Sequence, residues 1–124
     1  MIKKMSNAQI FALSNKFIPM LNSETRYMPA KISYFMHKNR IKLIEQVGLI
    51  EEARINIIKH YGVLNETTGL YDVPDNVLNE ANKELNELLE IEQNVEISMI
   101  KLSDLEGIDF TFEQMEILDF MIEE

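Results

Sequence analysis

From Pro29 to Tyr61 the chain holds no residue that breaks a helix except Gly48. Pro29 suits a first helical position, because its fixed φ matches a helix and its missing N–H is one that a helix start leaves free. Gly62 is the expected left-handed stop. Read as one helix, the segment is 33 residues long and spans about 50 Å at 1.5 Å per residue. In a chain of 124 residues such a rod leaves room only for shorter elements packed along it. One apolar stripe runs through Ile32, Met36, Leu43, Val47, Ile50, Ile57 and Tyr61, and a second through Tyr34, Ile41, Ile44, Ile55 and Ile58. Two stripes are more than a helix needs to cover one small core. The second, with Tyr34, Ile41, Ile44, Gly48 and Ile55 as its contact residues, is expected to meet another chain in a homo-oligomer. Gly48 costs roughly 1 kcal/mol relative to alanine, and reads as a bend, as a close approach by another helix, or as a tolerated glycine.

Charge divides the chain at the end of that helix. Residues 1–62 carry ten Lys/Arg against four acids, and residues 63–124 carry two against seventeen. The sums are +6 and −15, which give the net −9. A basic helical half, 1–62, is therefore followed by an acidic mixed half, 63–124, within a single domain 1–124. The halves either form a salt-bridged seam or present separate charged surfaces. Hydrophobic residues make up 46% of the chain, enough for a packed core rather than disorder.

The remaining elements follow from local signals. Ser6-Asn7-Ala8-Gln9 is a capping box opening a helix over about 7–21, with Ile10, Leu13, Phe17 and Met20/Leu21 at helical spacing. Pro19 is expected to kink or end it. Val63–Pro74 reads as a hairpin around Asn65–Gly69, and needs a third strand or a helix to lie on. Val95–Leu102, with Val95, Ile97 and Met99 alternating with Glu96, Ser98 and Ile100, offers that strand. Between them lies an amphipathic helix capped by Asp75 or Asn76, with Leu78, Ala81, Leu85, Leu88 and Leu89 on its apolar face. Ser103–Phe110 is a loop around Gly107. Thr111–Gln114 is a second capping box, opening a final helix that ends in Glu123-Glu124. Acids there oppose the helix dipole, so the end is expected to fray unless the basic helix holds it. The fold class is thus α+β, mostly α: a long central helix, shorter helices, and a small antiparallel sheet of hairpin plus one strand.

The chain is poor in catalytic equipment. His37 and His60 are the only histidines and lie about 35 Å apart on a continuous helix, too far to share a metal or a reaction centre. There is no phosphate-binding glycine loop, no nucleophile elbow and no cysteine, hence no disulfide and no thiolate metal site. The acids Asp104, Glu106, Asp109 and Glu113 lack the spacing of a calcium loop and read as a solvated loop. Asp72 and Asp75 read as turn and cap residues. No catalytic residue, metal or cofactor is expected, nor a membrane span or signal peptide. The absence of cysteine fits a bacterial cytoplasm.

Two charged surfaces remain. Lys31, Lys38, Arg40, Lys42, Arg54 and Lys59, with Tyr27 and Tyr34, could track a nucleic-acid backbone, but the overall charge of −9 argues against direct nucleic-acid binding. Glu80, Glu84, Glu87, Glu90 and Glu92, extended in sequence by Asp104, Glu106 and Asp109, form a dense negative face. Such a face can occupy a groove shaped for phosphates. An ordinary solvated helix face is the plain alternative.

The order of pieces is similar to a family of small uncharacterised proteins of phages and prophages of low-GC Gram-positive bacteria. The residues that carry the resemblance are Asn7-Ala8-Gln9, Lys59-His60-Tyr61-Gly62, Gly69–Pro74, Asn82–Leu89 and the acidic tail Phe112–Glu124. Sixteen Ile and eleven Asn against five Ala suit an AT-rich genome. The resemblance implies no catalytic residues, and favours a phage assembly part or a small protein that blocks host machinery. The expected function is non-enzymatic protein binding: an anti-CRISPR-like or other anti-defence inhibitor that docks on a nucleic-acid-handling host enzyme. Its contact residues would be Glu80, Glu84, Glu87, Glu90, Asp104 and Glu106. The alternative is an assembly component acting as a homo-oligomer through the long helix.

Overall fold

A computed structural model describes residues 1–123. Its elements in order are β1 (Ile2–Ser6), α1 (Asn7–Asn22), α2 (Ala30–Tyr61), β2 (Val63–Leu64), β3 (Tyr71–Asp72), α3 (Leu78–Glu90), β4 (Glu92–Glu96), β5 (Ile100–Lys101), α4 (Phe112–Leu118) and β6 (Ile122–Glu123). The class is mostly α with small two-stranded sheets. α2 is one uninterrupted helix through Gly48. A Cβ built at Gly48 would meet nothing within 4 Å, so this glycine admits no close neighbour from its own chain among the described residues.

One face of α2 carries the core. Ile32, Met36, Leu43 and Ile50 are buried there with Ile10 and Phe17 of α1, Val95 of β4, Ile97, Ile100 of β5, Leu105, Leu118 and Met121. These residues form one connected cluster. Of the stripe expected from spacing, Ile32, Met36, Leu43 and Ile50 are buried and Val47, Ile57 and Tyr61 are half-buried, and Asn39 joins the buried set.

Both capping boxes are present. Ser6 Oγ accepts the Gln9 N–H at 3.1 Å while Gln9 Oε1 accepts the Ser6 N–H at 2.8 Å. Thr111 and Gln114 repeat the exchange at 3.1 and 2.9 Å. Pro19 sits inside the last turn of α1, and the helix runs on to Asn22. The ring frees only the carbonyl of Asn15, a residue on the exposed side. Asp75 and Asn76 do not cap α3: they lie in a 3₁₀ turn, Asp75–Val77, and α3 starts from Val77 without a side-chain cap.

Gly62 ends α2 in extended backbone (φ −92°, ψ 164°), not in the left-handed region. Its value is small size. A Cβ there would lie 2.6 Å from the Ile58 carbonyl oxygen and 3.0 Å from Tyr71 Cβ. Gly62→Ala should therefore force the hairpin off the helix end and cost about 2 kcal/mol. Thermal unfolding checks this, and an unchanged midpoint would show that the contact relaxes freely.

The strands pair differently from the simplest expectation. The hairpin forms, with Val63 opposite Asp72 and Leu64 opposite Tyr71. Asn65 Oδ1 accepts the Thr67 and Thr68 N–H groups at 3.0 and 3.3 Å, and Gly69 takes the positive φ of 75° that closes the turn. Among the described residues no third strand joins it; it lies against the end of α2, where Lys59 stands over the Tyr71 ring. The strand near Val95 starts earlier, at Glu92, and pairs antiparallel with β1, Ile2 opposite Glu96 and Ser6 opposite Glu92. Opposite charge helps set this pairing: Lys4 meets Glu92 at 3.3 Å and the terminal ammonium meets Glu96 at 3.2 Å.

The strand stops after Glu96, and beyond it the side chain of Asn39 takes the place of a neighbouring strand. Asn39 Nδ2 donates to the Ser98 carbonyl at 3.0 Å, and Asn39 Oδ1 accepts the Ser98 N–H at 2.8 Å. β5 then pairs parallel with β6, Ile100 opposite Ile122. The final helix accordingly ends at Leu118 and passes through a 3₁₀ turn into a strand. The acidic end is held by that ladder up to Glu123, and Glu124 lies outside the described residues. The Ser103–Phe110 segment opens with a 3₁₀ turn, Leu102–Leu105, before Gly107 at φ 83°.

Arg26 fastens the α1–α2 connection to the loop before α4. It donates to Glu24, Gln114 and the Asp109 carbonyl and stands over the Phe110 ring. Its hydrogen bonds pull the Glu24 carboxyl down to about 2.

Candidate functional site

α3 has an apolar face because Ala81, Leu85, Leu88 and Leu89 recur at helical spacing. Ala81 is buried and the three leucines are half-buried, while Leu78 is left exposed. That burial turns Glu80, Glu84, Glu87 and Glu90 outward, and all four are exposed. They step along the helix at intervals of three or four residues, over about 15 Å. Among the described residues none of the four makes an ion pair. α3 is anchored at its far end by Asn7, which is buried and whose Nδ2 donates to the Leu88 carbonyl at 2.8 Å. Burial, and then the carboxylates of Glu84, Glu80 and Glu87, push the Tyr61 phenol above its ordinary value. The acidic row thus borders the C-terminal end of α2.

Asp104 and Glu106 do not extend this row. Asp104 accepts from Lys31 Nζ at 3.1 Å and from the Lys101 N–H at 2.9 Å. The Lys101 N–H and then the Lys31 ammonium hold its carboxyl below the ordinary range. Lys31 lies in the first turn of α2 and Tyr61 in its last, about 45 Å apart at 1.5 Å per residue. The acids that sequence proximity joined therefore fall at opposite ends of the rod. Glu92 belongs to the β1–β4 pair through Lys4.

The expected salt-bridged seam between the halves is sparse. Lys31–Asp104, Lys4–Glu92 and the amino terminus with Glu96 are the pairs that cross it among the described residues. On α2, Arg54 pairs with Glu51 at 2.9 Å and Lys42 with Glu45 at 3.9 Å, both within the helix. Lys38 stands over the Tyr34 ring, and Arg40 bonds Asn22 and His37. His60 stacks edge-on against Tyr61, and α2 keeps it remote from His37. Among the described residues no group of three His, Asp or Glu could hold a metal ion. Among the described residues no helix is long and apolar enough to cross a membrane.

The second stripe of α2 faces outward, opposite the core. Tyr34 is 60% exposed, Ile41 43%, Ile44 51% and Ile55 42%. With Gly48 between them, they make an apolar row along the helix, interrupted by His37 and Glu51, while Ile58 at its end is half-buried. At its N-terminal end the strip runs into an open groove lined by Tyr27, Met28, Ala30, Tyr34 and His37. A sequence signal for this face existed in the doubled stripe, whereas nothing local marked Asn39 as the residue that would hold Ser98.

The chain matches no known family model, no curated protein and no solved structure. The molecule presents two exposed faces, acidic on α3 and apolar on α2.

Proposed function

We propose that the chain is a non-enzymatic protein-binding module of phage or prophage origin. It docks the acidic face of α3 on a cationic groove of a host defence enzyme that handles nucleic acid. The observation that carries this reading is the row Glu80, Glu84, Glu87 and Glu90, exposed and without cationic partners among the described residues. A line of carboxylates on a rigid helix presents charge much as a strand of phosphates does, and it is steered electrostatically to the same grooves.

The test is capture from host lysate on immobilised protein, with elution by duplex DNA or heparin. The expected outcome is a nucleic-acid-handling protein that either polyanion releases. Glu84→Lys/Glu87→Lys should reduce its retention at least about tenfold, because like charges then face each other. Retention that ignores both polyanion and substitution would sink the proposal.

A second reading, self-association in an assembly role, is favoured by the outward strip Tyr34, Ile41, Ile44, Gly48 and Ile55. Light scattering separates the two readings: a monomer leaves only the first, and a dimer or ring supports the second.

A further inference from the structure

The outward face of α2 carries a heptad pattern. Tyr34, Ile41, Gly48 and Ile55 recur every seven residues, His37, Ile44, Glu51 and Ile58 stand three further on, and Ala30 begins that second row one heptad before His37. The core residues Met36, Leu43 and Ile50 lie on the opposite side of the same pattern. A sustained 3.5-residue seam on an exposed helix is what a two-stranded coiled coil requires. The geometry points to a second copy of this chain as its occupant, with the two α2 helices antiparallel and Ile41 of each facing Ile44 of the other. This deepens the self-association reading and rests on it.

Charge selects the register. The seam is flanked on one side by Lys31, Lys38, Glu45, Glu52 and Lys59, all exposed, and on the other by Ser33, Arg40, Val47 and Arg54. In an antiparallel pair, like flanks face each other. With Ile41 on Ile44, Lys38 meets Glu45 of the second copy and Lys31 meets Glu52, each twice by symmetry. The other flank sets Arg40 against Val47 and Ser33 against Arg54, with no like charges opposed. Sliding one heptad one way sets Lys38 against Lys38 and Arg40 against Arg40. Sliding it the other way sets Glu45 against Glu45 and Arg40 against Arg54. A parallel pair stacks Glu51 on Glu51, leaves a void at Gly48 against Gly48, and opposes Arg54 to Lys59. Flanking charges set orientation in such pairs, and of these arrangements only Ile41 on Ile44 opposes no like charges, while it places Glu51 of each copy beside Tyr34 of the other.

The same register explains Gly48. It places the His37 ring of the second copy over the empty space where a Cβ would meet nothing. It also sets Ile55 of one copy opposite Ala30 of the other, at the groove lined by Tyr27, Ala30 and Tyr34.

Sedimentation equilibrium should show a dimer of the full chain. Ile41→Glu/Ile44→Glu, at exposed positions, should yield a monomer with an unchanged circular dichroism spectrum. Lys38→Glu and Glu45→Lys should each weaken the dimer at least about tenfold, and the two together should restore it. The chain has no cysteine, so a spin label can be placed on Lys59→Cys alone. Two such labels should lie about 50 Å apart, against less than about 20 Å in a parallel pair. A monomer at all concentrations overturns self-association and the register together. A dimer that survives the double glutamate variant, is not rescued by the paired charge swap, or gives the short distance overturns the register and leaves self-association standing.

Discussion

Asn39→Leu lowers the stability of the fold by about 3 kcal/mol, with the loss read as a shift of the urea midpoint at unchanged slope. Asn39 is buried, and its amide makes both backbone hydrogen bonds of Ser98. Leucine has the same branched shape and number of side-chain heavy atoms and a better transfer free energy, so hydrophobicity alone predicts a gain. The hydrogen bonds decide otherwise. Removing the amide leaves an N–H and a C=O without partners in a part-buried place, and each costs roughly 1–3 kcal/mol. Asn39 Nδ2 also stands 3.5 Å from Met121 Sδ, so the change reaches the turn that leads into β6. The Ser98 amide should exchange its hydrogen far faster in the variant than in the parent. A variant as stable as the parent would mean that water replaces the amide at no cost.

Phe17→Ala is expected to cost about 4 kcal/mol, and to lower the melting temperature by roughly 15 °C for a chain of this length. Phe17 is fully buried in α1 and meets the Phe120 ring edge-on, with centroids 5.0 Å apart at 82°. The lost contact, the lost transfer energy and the remaining cavity add together. Against a typical total of about 5–15 kcal/mol, this change brings the protein near unfolding. Phe17→Leu keeps most of the volume and should cost less than half as much. Calorimetry on the pair checks both values. A loss below about 1 kcal/mol for the alanine variant would show that α4 and its following turn close over the gap.

The parts legible in the sequence are those with a local cause. The length of α2 follows from an absence of breakers, and its buried stripe from spacing. The two capping boxes follow from residues three apart, and the hairpin from turn residues between apolar pairs. The doubled stripe on α2 also announced the outward face, since no small core needs a helix wetted by apolar residues on both sides. The acidic row on α3 was legible for the same reason: one face of an amphipathic helix is fixed by the other.

The sequence by itself therefore determined where helices form, though not where each begins or ends, which of their faces are apolar, and where charge is concentrated. Tertiary structure alone decided what each segment lies against. It paired the N-terminal strand with Glu92–Glu96, gave Ser98 a side chain in place of a strand, and turned the last residues from helix into a parallel ladder with Ile100. It also sent Asp104 to the far end of the rod from Glu84. The physical reason is range. Helical hydrogen bonds and caps join residues three or four apart, and their pattern is written in adjacent positions. A backbone N–H or carbonyl left over at a strand edge is satisfied by whichever distant group packing brings near, and no periodicity in the chain records that choice.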